Sequence, residues 1–429
     1  RTLFKIVNMK ENVKKIGFFK LGKAIKFNEN SWSAIGGDCE PKQLICSIAN
    51  RNPNIEYWLL SPNDLGKFRA KQKPKVNSLF GPPQTDEPTV PNNIKEFHST
   101  MKERKSTDET VEIIQGLDLD YIFFYTGPTS TVNIPEYINK KDGTGQVKSL
   151  DFFKYYAAPI IKAMNELEKK VPIVGLLVDN RYILACKDWG INNRPTYYLA
   201  QNTFTKEEEY FCNPPLRDTA KITSTYEYSG IETVFLLDKK RYNTDELFEM
   251  KKTNSFMMLQ NQGKGSGGMD RWDPVKEYIV DQDIETDIYG KWDDEIKEKY
   301  PKWFKGETRI ETMTDELLST KYTFCVPIKE GMVTSKYAEM LHYGIIPFLH
   351  PSYDTDFNVF PEGHFIRCKS PEDLKKKIEF LNANPEHYKK LFYNLQEKYL
   401  KDSYYTGEHV DNKIWEAYER VTKTETVNV

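Results

Sequence analysis

The 429-residue chain has no stretch approaching about 18 uninterrupted apolar residues, and no signal peptide opens it, so no membrane span is expected. Its six cysteines (Cys39, Cys46, Cys186, Cys212, Cys325, Cys368) are scattered without a C-x-x-C pair, which reads as reduced, buried thiols rather than a disulfide framework. The six histidines form neither H-E-x-x-H nor a clustered ligand set, so no zinc site is expected. Charge of one sign is also lacking: the net charge of -2 excludes a protein that grips nucleic acid by global charge alone. Glycine and proline, 23 each, are not enriched, which argues against long disordered tracts. The expectation is a soluble, cytoplasmic protein, acting as a monomer.

What is present is ample apolar material, 39% of residues, enough for one large or two ordinary cores. Aromatics reach 13%, a share that suits polar clefts lined by flat side chains. Local basic runs occur at Lys67, Arg69, Lys71, Lys73 and Lys75 and at Lys102, Arg104 and Lys105. Such runs are either solvated loops or phosphate contacts.

Short apolar runs alternate with amphipathic stretches, the pattern of an α/β protein. Strands are expected at 16–19, 55–60, 121–125, 172–178 and 233–237, with helices at 41–50 and 152–170 and a long loop over 67–93. A second α/β series begins near Asn254. It has strands at 255–259, ending at 288–290, and at 322–328 and 344–349. Helices are expected at 274–280, 333–343, 371–381, 385–400 and 412–423. Two Rossmann-like halves with a seam near residue 250 follow from this order.

Three constellations carry chemistry. The loop Gly263-Lys264-Gly265-Ser266-Gly267-Gly268 follows a strand and precedes a helix. Its glycines let the backbone approach a phosphate, and the N–H groups at a helix start favour negative charge. No Gly-Lys-Ser/Thr ends it, so it is not a Walker A loop; a diphosphate site, a dinucleotide site and a surface turn remain open. Arg271 adds a fixed cation suited to a diphosphate. Second, Lys336, Tyr337 and Glu339 lie on a helix that re-enters the sheet through Gly344. A carboxylate there can accept both ribose hydroxyls, or it can simply pair with Lys336 three residues away. Third, Asp179 directly follows an apolar strand, where α/β folds place active sites. There it could deprotonate a hydroxyl nucleophile or cap a following helix.

Taken together these residues resemble the DNA β-glucosyltransferases of T-even phages. The resemblance rests on Leu176-Leu177-Val178-Asp179-Asn180-Arg181, followed by Asn193-Arg194-Pro195. In the C-terminal half it rests on the glycine loop, Arg271, Ile288-Tyr289-Gly290, Lys299-Tyr300-Pro301-Lys302-Trp303 and the Lys336/Tyr337/Glu339 helix. Gly36-Gly37-Asp38-Cys39-Glu40 also fits, with Glu40 similar to a family glutamate near the sugar. The chain departs in two places. It supplies one arginine, Arg271, where the family has two, with Lys264 as a substitute. Glu330 and Glu339 enclose eight residues where the broader pattern has seven.

The resemblance implies the GT-B fold: two Rossmann-like domains facing across a deep cleft, with a C-terminal helix returning to the N-terminal domain. Its expected parts are an acceptor domain over 1–250, a nucleotide-sugar domain over 251–405 and the returning helix over 406–429. It implies transfer of glucose from UDP-glucose, with inversion, onto the hydroxyl of a 5-hydroxymethylated pyrimidine in double-stranded DNA. Asp179 would be the general base, with Glu40 orienting the sugar. Lys264, Gly265, Gly267, Arg271, Tyr289, Gly290, Lys336, Tyr337 and Glu339 would hold the donor. Arg181, Asn193, Arg194, Lys67, Arg69 and Lys71 would meet the acceptor. Mg²⁺ could assist turnover, and a phage-encoded protein would work in the host cytoplasm. The rival readings keep the chemistry with a cell-surface glycan or small-molecule acceptor, or make the chain a DNA-binding module with a degenerate sugar site.

Overall fold

The computed structural model describes residues 10–21, 40–60, 90–97, 107–126, 166–167, 169, 171–177, 196–200, 226–228, 242–252, 255–263, 269–308, 313–327, 330–334, 336–355, 357, 359–401 and 408–426. The chain divides into two compact units, Arg1–Ile231 with Thr406–Val429, and Glu232–Tyr405.

In the first unit the described strands are β1 (Lys15–Leu21), β2 (Glu56–Leu59), β3 (Ile94–Glu96), β4 (Tyr121–Thr126), β5 (Ile173–Leu177), β6 (Thr196–Ala200) and β7 (Tyr226–Tyr228). All pair in parallel, in the order β3-β2-β1-β4-β5-β6-β7. Continuous apolar runs explain this. Phe18, Phe19, Tyr121, Ile122 and Phe123 are wholly buried, as befits strands covered on both faces. A Cβ at Gly17 would come within 2.9 Å of Leu119 Cδ1, so the centre of β1 has room only for glycine as packed. The strand order reverses between β1 and β4, the kind of point at which open α/β sheets bind ligands. Helices α1 (Glu40–Arg51) and α2 (Thr107–Gly116) belong to this unit.

The second unit contains β8 (Met257–Leu259), β9 (Asp287–Tyr289), β10 (Phe304–Gly306), β11 (Tyr322–Cys325) and β12 (Ile346–Leu349). Strands β10-β9-β8 and β11-β12 form two parallel groups, joined by a parallel bridge between Phe256 and Tyr322. The resulting order β10-β9-β8-β11-β12 is that of a Rossmann half, with its reversal between β8 and β11. Its described helices are α3 (Thr244–Glu249), α4 (Trp272–Val275, continuing through Lys276–Val280), α5 (Asp294–Lys299), α6 (Thr314–Ser319), α7 (Lys336–His342), α8 (Pro371–Ala383) and α9 (Pro385–Lys401). Asn243 and Glu246 form a capping box on α3. Ser370 caps α8, with Pro371 in its first turn. The second half of α4 is wound wider, Asp281 N–H reaching Lys276 O at 2.8 Å across five residues.

Helix α10 (Glu408–Thr426) packs on α1, β5 and β6 within the first unit. Buried Asp411 anchors it: Lys10 Nζ donates at 2.6 Å, Asn52 Nδ2 at 2.7 Å and Trp415 Nε1 at 3.0 Å.

Several expected elements are shorter than their patterns, two of them for a visible reason. The 322–328 run ends as a strand at Cys325, because Val326 turns its N–H and C=O toward the side chain of Gln260. The 333–343 helix begins at Lys336, because Thr334 is held in a loop by the Tyr353 hydroxyl, which receives its N–H at 3.0 Å. The helix expected over 152–170 falls almost wholly outside the described residues, and the strand expected over 233–237 lies wholly outside them. The 67–93 loop is described only from Val90.

Candidate functional site: the carboxyl edge of the second sheet

Arg271 stands at the reversal point between β8 and β11. Its Nε donates to Val326 O, just beyond β11, at 2.9 Å, and its Nη1 to Asn261 O, just beyond β8, at 2.7 Å. The guanidinium is therefore pinned to both strand ends that flank the switch point. It is only 9% exposed, and among the described residues it has no carboxylate partner. Burial lowers its pKa, the direction expected when a cation is desolvated without a countercharge. A buried cation normally has an anion to offset that cost. Here two carbonyls orient the charge without neutralising it.

The glycine-rich loop begins and ends at this point. Arg271 N–H donates to Gln262 O at 3.0 Å, closing the segment between them. Gln262, itself buried, donates its N–H to Lys291 O at 2.8 Å, tying the loop to the chain that follows β9. Gly290 makes that approach possible. Its φ is +128°, and a Cβ there would lie 2.2 Å from Gln260 O. Tyr289 is half-buried at the end of β9, and burial raises its hydroxyl pKa.

Helix α7 supplies the second set of groups. Glu339 is fully buried and pairs with Lys336 one turn earlier, so the pairing anticipated from their spacing is realised at a buried position. Cys325, at the end of β11, senses both of these charges and that of Arg271, while burial pushes its thiol up to about 12. Arg271 bonds to Val326 O just beyond β11, and α7, which carries Lys336 and Glu339, packs on the same strand. The loop before α7 is braced by buried Tyr353, which donates to Thr334 O and accepts from Thr334 N–H. Tyr337 lies in the core, edge-on to Phe360 with ring centres 5.8 Å apart.

The remaining site residues fall differently. Lys264, Gly265 and Gly267 lie outside the described residues, as do Asp179, Arg181, Asn193, Arg194, Lys67, Arg69 and Lys71. Glu40 is the first residue of α1. In the chain, Asp179 comes two positions after the last residue of β5, and Arg194 two before the first of β6. Gln262, Asp270, Asp293, Asn261 and Val326 belong to the site but carry no sequence signal. Two of them act through main-chain carbonyls, and the others are polar residues of ordinary kind.

With its two Rossmann-like units the chain has the GT-B fold. Among solved structures it is similar to T4 phage BGT in complex with UDP-glucose, at 12% identity and a TM-score of 0.54, over 95% of this chain and 99% of that one. The same phage protein with UDP and Mn²⁺ gives the same figures. A glycosyltransferase from Rickettsia africae is similar at 8% identity and a TM-score of 0.51, over 96% and 99% of the two chains. No protein-family model matches the sequence. No curated protein matches it at a significant level.

Proposed function

We propose that the protein is a glycosyltransferase that moves glucose from UDP-glucose onto the hydroxyl of a 5-hydroxymethylated pyrimidine in double-stranded DNA, with inversion. The observation that carries the donor half is Arg271: a buried guanidinium, pinned at the switch point and with no carboxylate partner among the described residues, is suited to meet an anion. The shared fold with a phage protein solved with UDP-glucose supports the same reading. Arg271, Lys264 and the N–H groups of Gly265 and Gly267 hold the diphosphate and stabilise the charge of the departing nucleotide. Glu339 takes the ribose hydroxyls, with Lys336 holding its carboxylate in place.

The acceptor half rests on the sequence motifs. Asp179 takes the proton from the attacking hydroxyl, and Glu40 orients the sugar. Arg181, Asn193, Arg194 and the basic run at Lys67, Arg69 and Lys71 meet the DNA, whose target base is flipped from the stack. Among the described residues no group of three His, Cys, Asp or Glu could hold a metal ion.

Radiolabelled UDP-glucose offered with unmodified, hydroxymethylcytosine-containing and hydroxymethyluracil-containing duplexes tests this. Label is expected in a hydroxymethylated duplex only, and is expected to disappear with Asp179→Ala. Slow donor hydrolysis with no labelled DNA would remove the DNA acceptor and favour a glycan or small molecule. Salt-dependent DNA binding without hydrolysis would leave only a binding module.

A further inference from the structure

We infer that Gln262 is a positioning residue of the donor site: its side-chain amide ties the turn at Asp270 and Arg271 to the loop after β9, and through this it aims Arg271. The inference rests on the reading of Arg271 as a diphosphate ligand.

Gln262 is buried, and its amide is used on both sides. Its Oε1 accepts Asp293 N–H at 2.9 Å, on the loop after β9. Its Nε2 donates to both carboxylate oxygens of Asp270 at 3.1 Å and points at Asp293 Oδ2 at 3.5 Å. Asp270 Oδ1 in turn accepts Trp272 N–H at 2.9 Å, which fixes the turn that contains Arg271. One side chain therefore reaches both the loop after β9, at Asp293, and the turn before α4, at Asp270. Its main chain makes the same two connections, through Lys291 O and Arg271 N–H.

The chemistry of the position is restrictive. An amide carries a donor and an acceptor on one planar group, and both are needed here. A carboxylate would keep the bond to Asp293 N–H but would face Asp270 and Asp293 as a third negative charge. An apolar side chain would leave two carboxylates converging with no donor between them.

The amide and the carboxylate can be exchanged, which gives the test. UDP is titrated by calorimetry into the full chain and into Gln262→Glu, Gln262→Glu with Asp270→Asn, and Arg271→Ala. Melting temperatures are recorded alongside, and KM for UDP-glucose and kcat at saturating donor are measured by donor turnover. Gln262→Glu is expected to weaken UDP on the order of tenfold, because a displaced site loses affinity steeply. It should raise KM for the donor and also lower kcat, because a mis-aimed Arg271 stabilises the departing nucleotide less well. The exchange variant should recover most of the loss. Unchanged UDP affinity in Gln262→Glu overturns the inference, as does an exchange variant that restores the melting temperature without restoring affinity. Should Gln262→Glu not fold, Gln262→Asn replaces it; one methylene shorter, it cannot span the two loops and should show the same loss. Lost affinity in Arg271→Ala alone would refute the role of Gln262 and keep the donor site. Unchanged affinity in Arg271→Ala would refute the donor site itself.

Discussion

At the scale of single residues the proposed donor site depends on geometry that few side chains can supply. Arg271 uses Nε and Nη1 to fix itself to two carbonyls, which leaves the rest of a planar fork aimed by the backbone. Lysine offers a point charge without that fork, so Arg271→Lys should lose most of the UDP affinity that Arg271→Ala loses, roughly a hundredfold. Titration of UDP into both variants checks this; near-native affinity in the lysine variant would show that charge alone suffices. Gly290 is constrained as tightly in another way. An alanine there would combine a backbone angle that side chains avoid with a 2.2 Å approach to Gln260 O. Gly290→Ala should cost about 3 kcal/mol in urea denaturation. A loss below about 0.5 kcal/mol would mean that the loop relaxes around it.

At the scale of elements, helix ends carry the unusual charges. Lys251 donates to Tyr343 O, at the end of α7, at 2.6 Å, and points at Leu317 O of α6 at 3.5 Å. Burial pushes its amine down to about 7. Above that pH the native state has released a proton that the unfolded chain keeps until its ordinary value of 10.5. The unfolded state then binds more protons, so this group makes stability rise with pH across that window. Lys251→Met should flatten the rise, by up to about 1.4 kcal/mol per pH unit. Urea curves at pH 7, 8 and 9 measure it, and parallel trends in the two proteins would contradict it. The junction of α10 and α1 rests on Asp411, which takes bonds from Lys10, Asn52 and Trp415. Removing the carboxylate in Asp411→Ala should cost about 2 kcal/mol, discounted because Lys10 is partly exposed. Thermal melting of the variant checks this.

At the scale of the molecule, much of the fold was legible because parallel sheets write themselves as continuous apolar runs. The cores of β1, β4 and β5 and of β11 and β12 lie within the runs read from the sequence. Short elements such as β3, β7, β10, α5 and α6 were not read, because three to six residues show too little periodicity. Residue type brought Arg271, Glu339 and Gly290 forward as candidates, because a guanidinium, a carboxylate and a glycine each suggest a chemistry or a backbone constraint by themselves. The site was not legible where the work falls to main-chain carbonyls or to an ordinary amide, as at Val326, Asn261 and Gln262. The strand order β10-β9-β8-β11-β12 explains why these residues converge, since its reversal falls between β8 and β11, whose ends carry the two carbonyls that Arg271 meets. A crystal structure of the protein with UDP tests the central claim most directly. The diphosphate is expected within about 3 Å of the Arg271 guanidinium and the ribose hydroxyls on Glu339. UDP bound elsewhere, with both side chains unengaged, would contradict that claim.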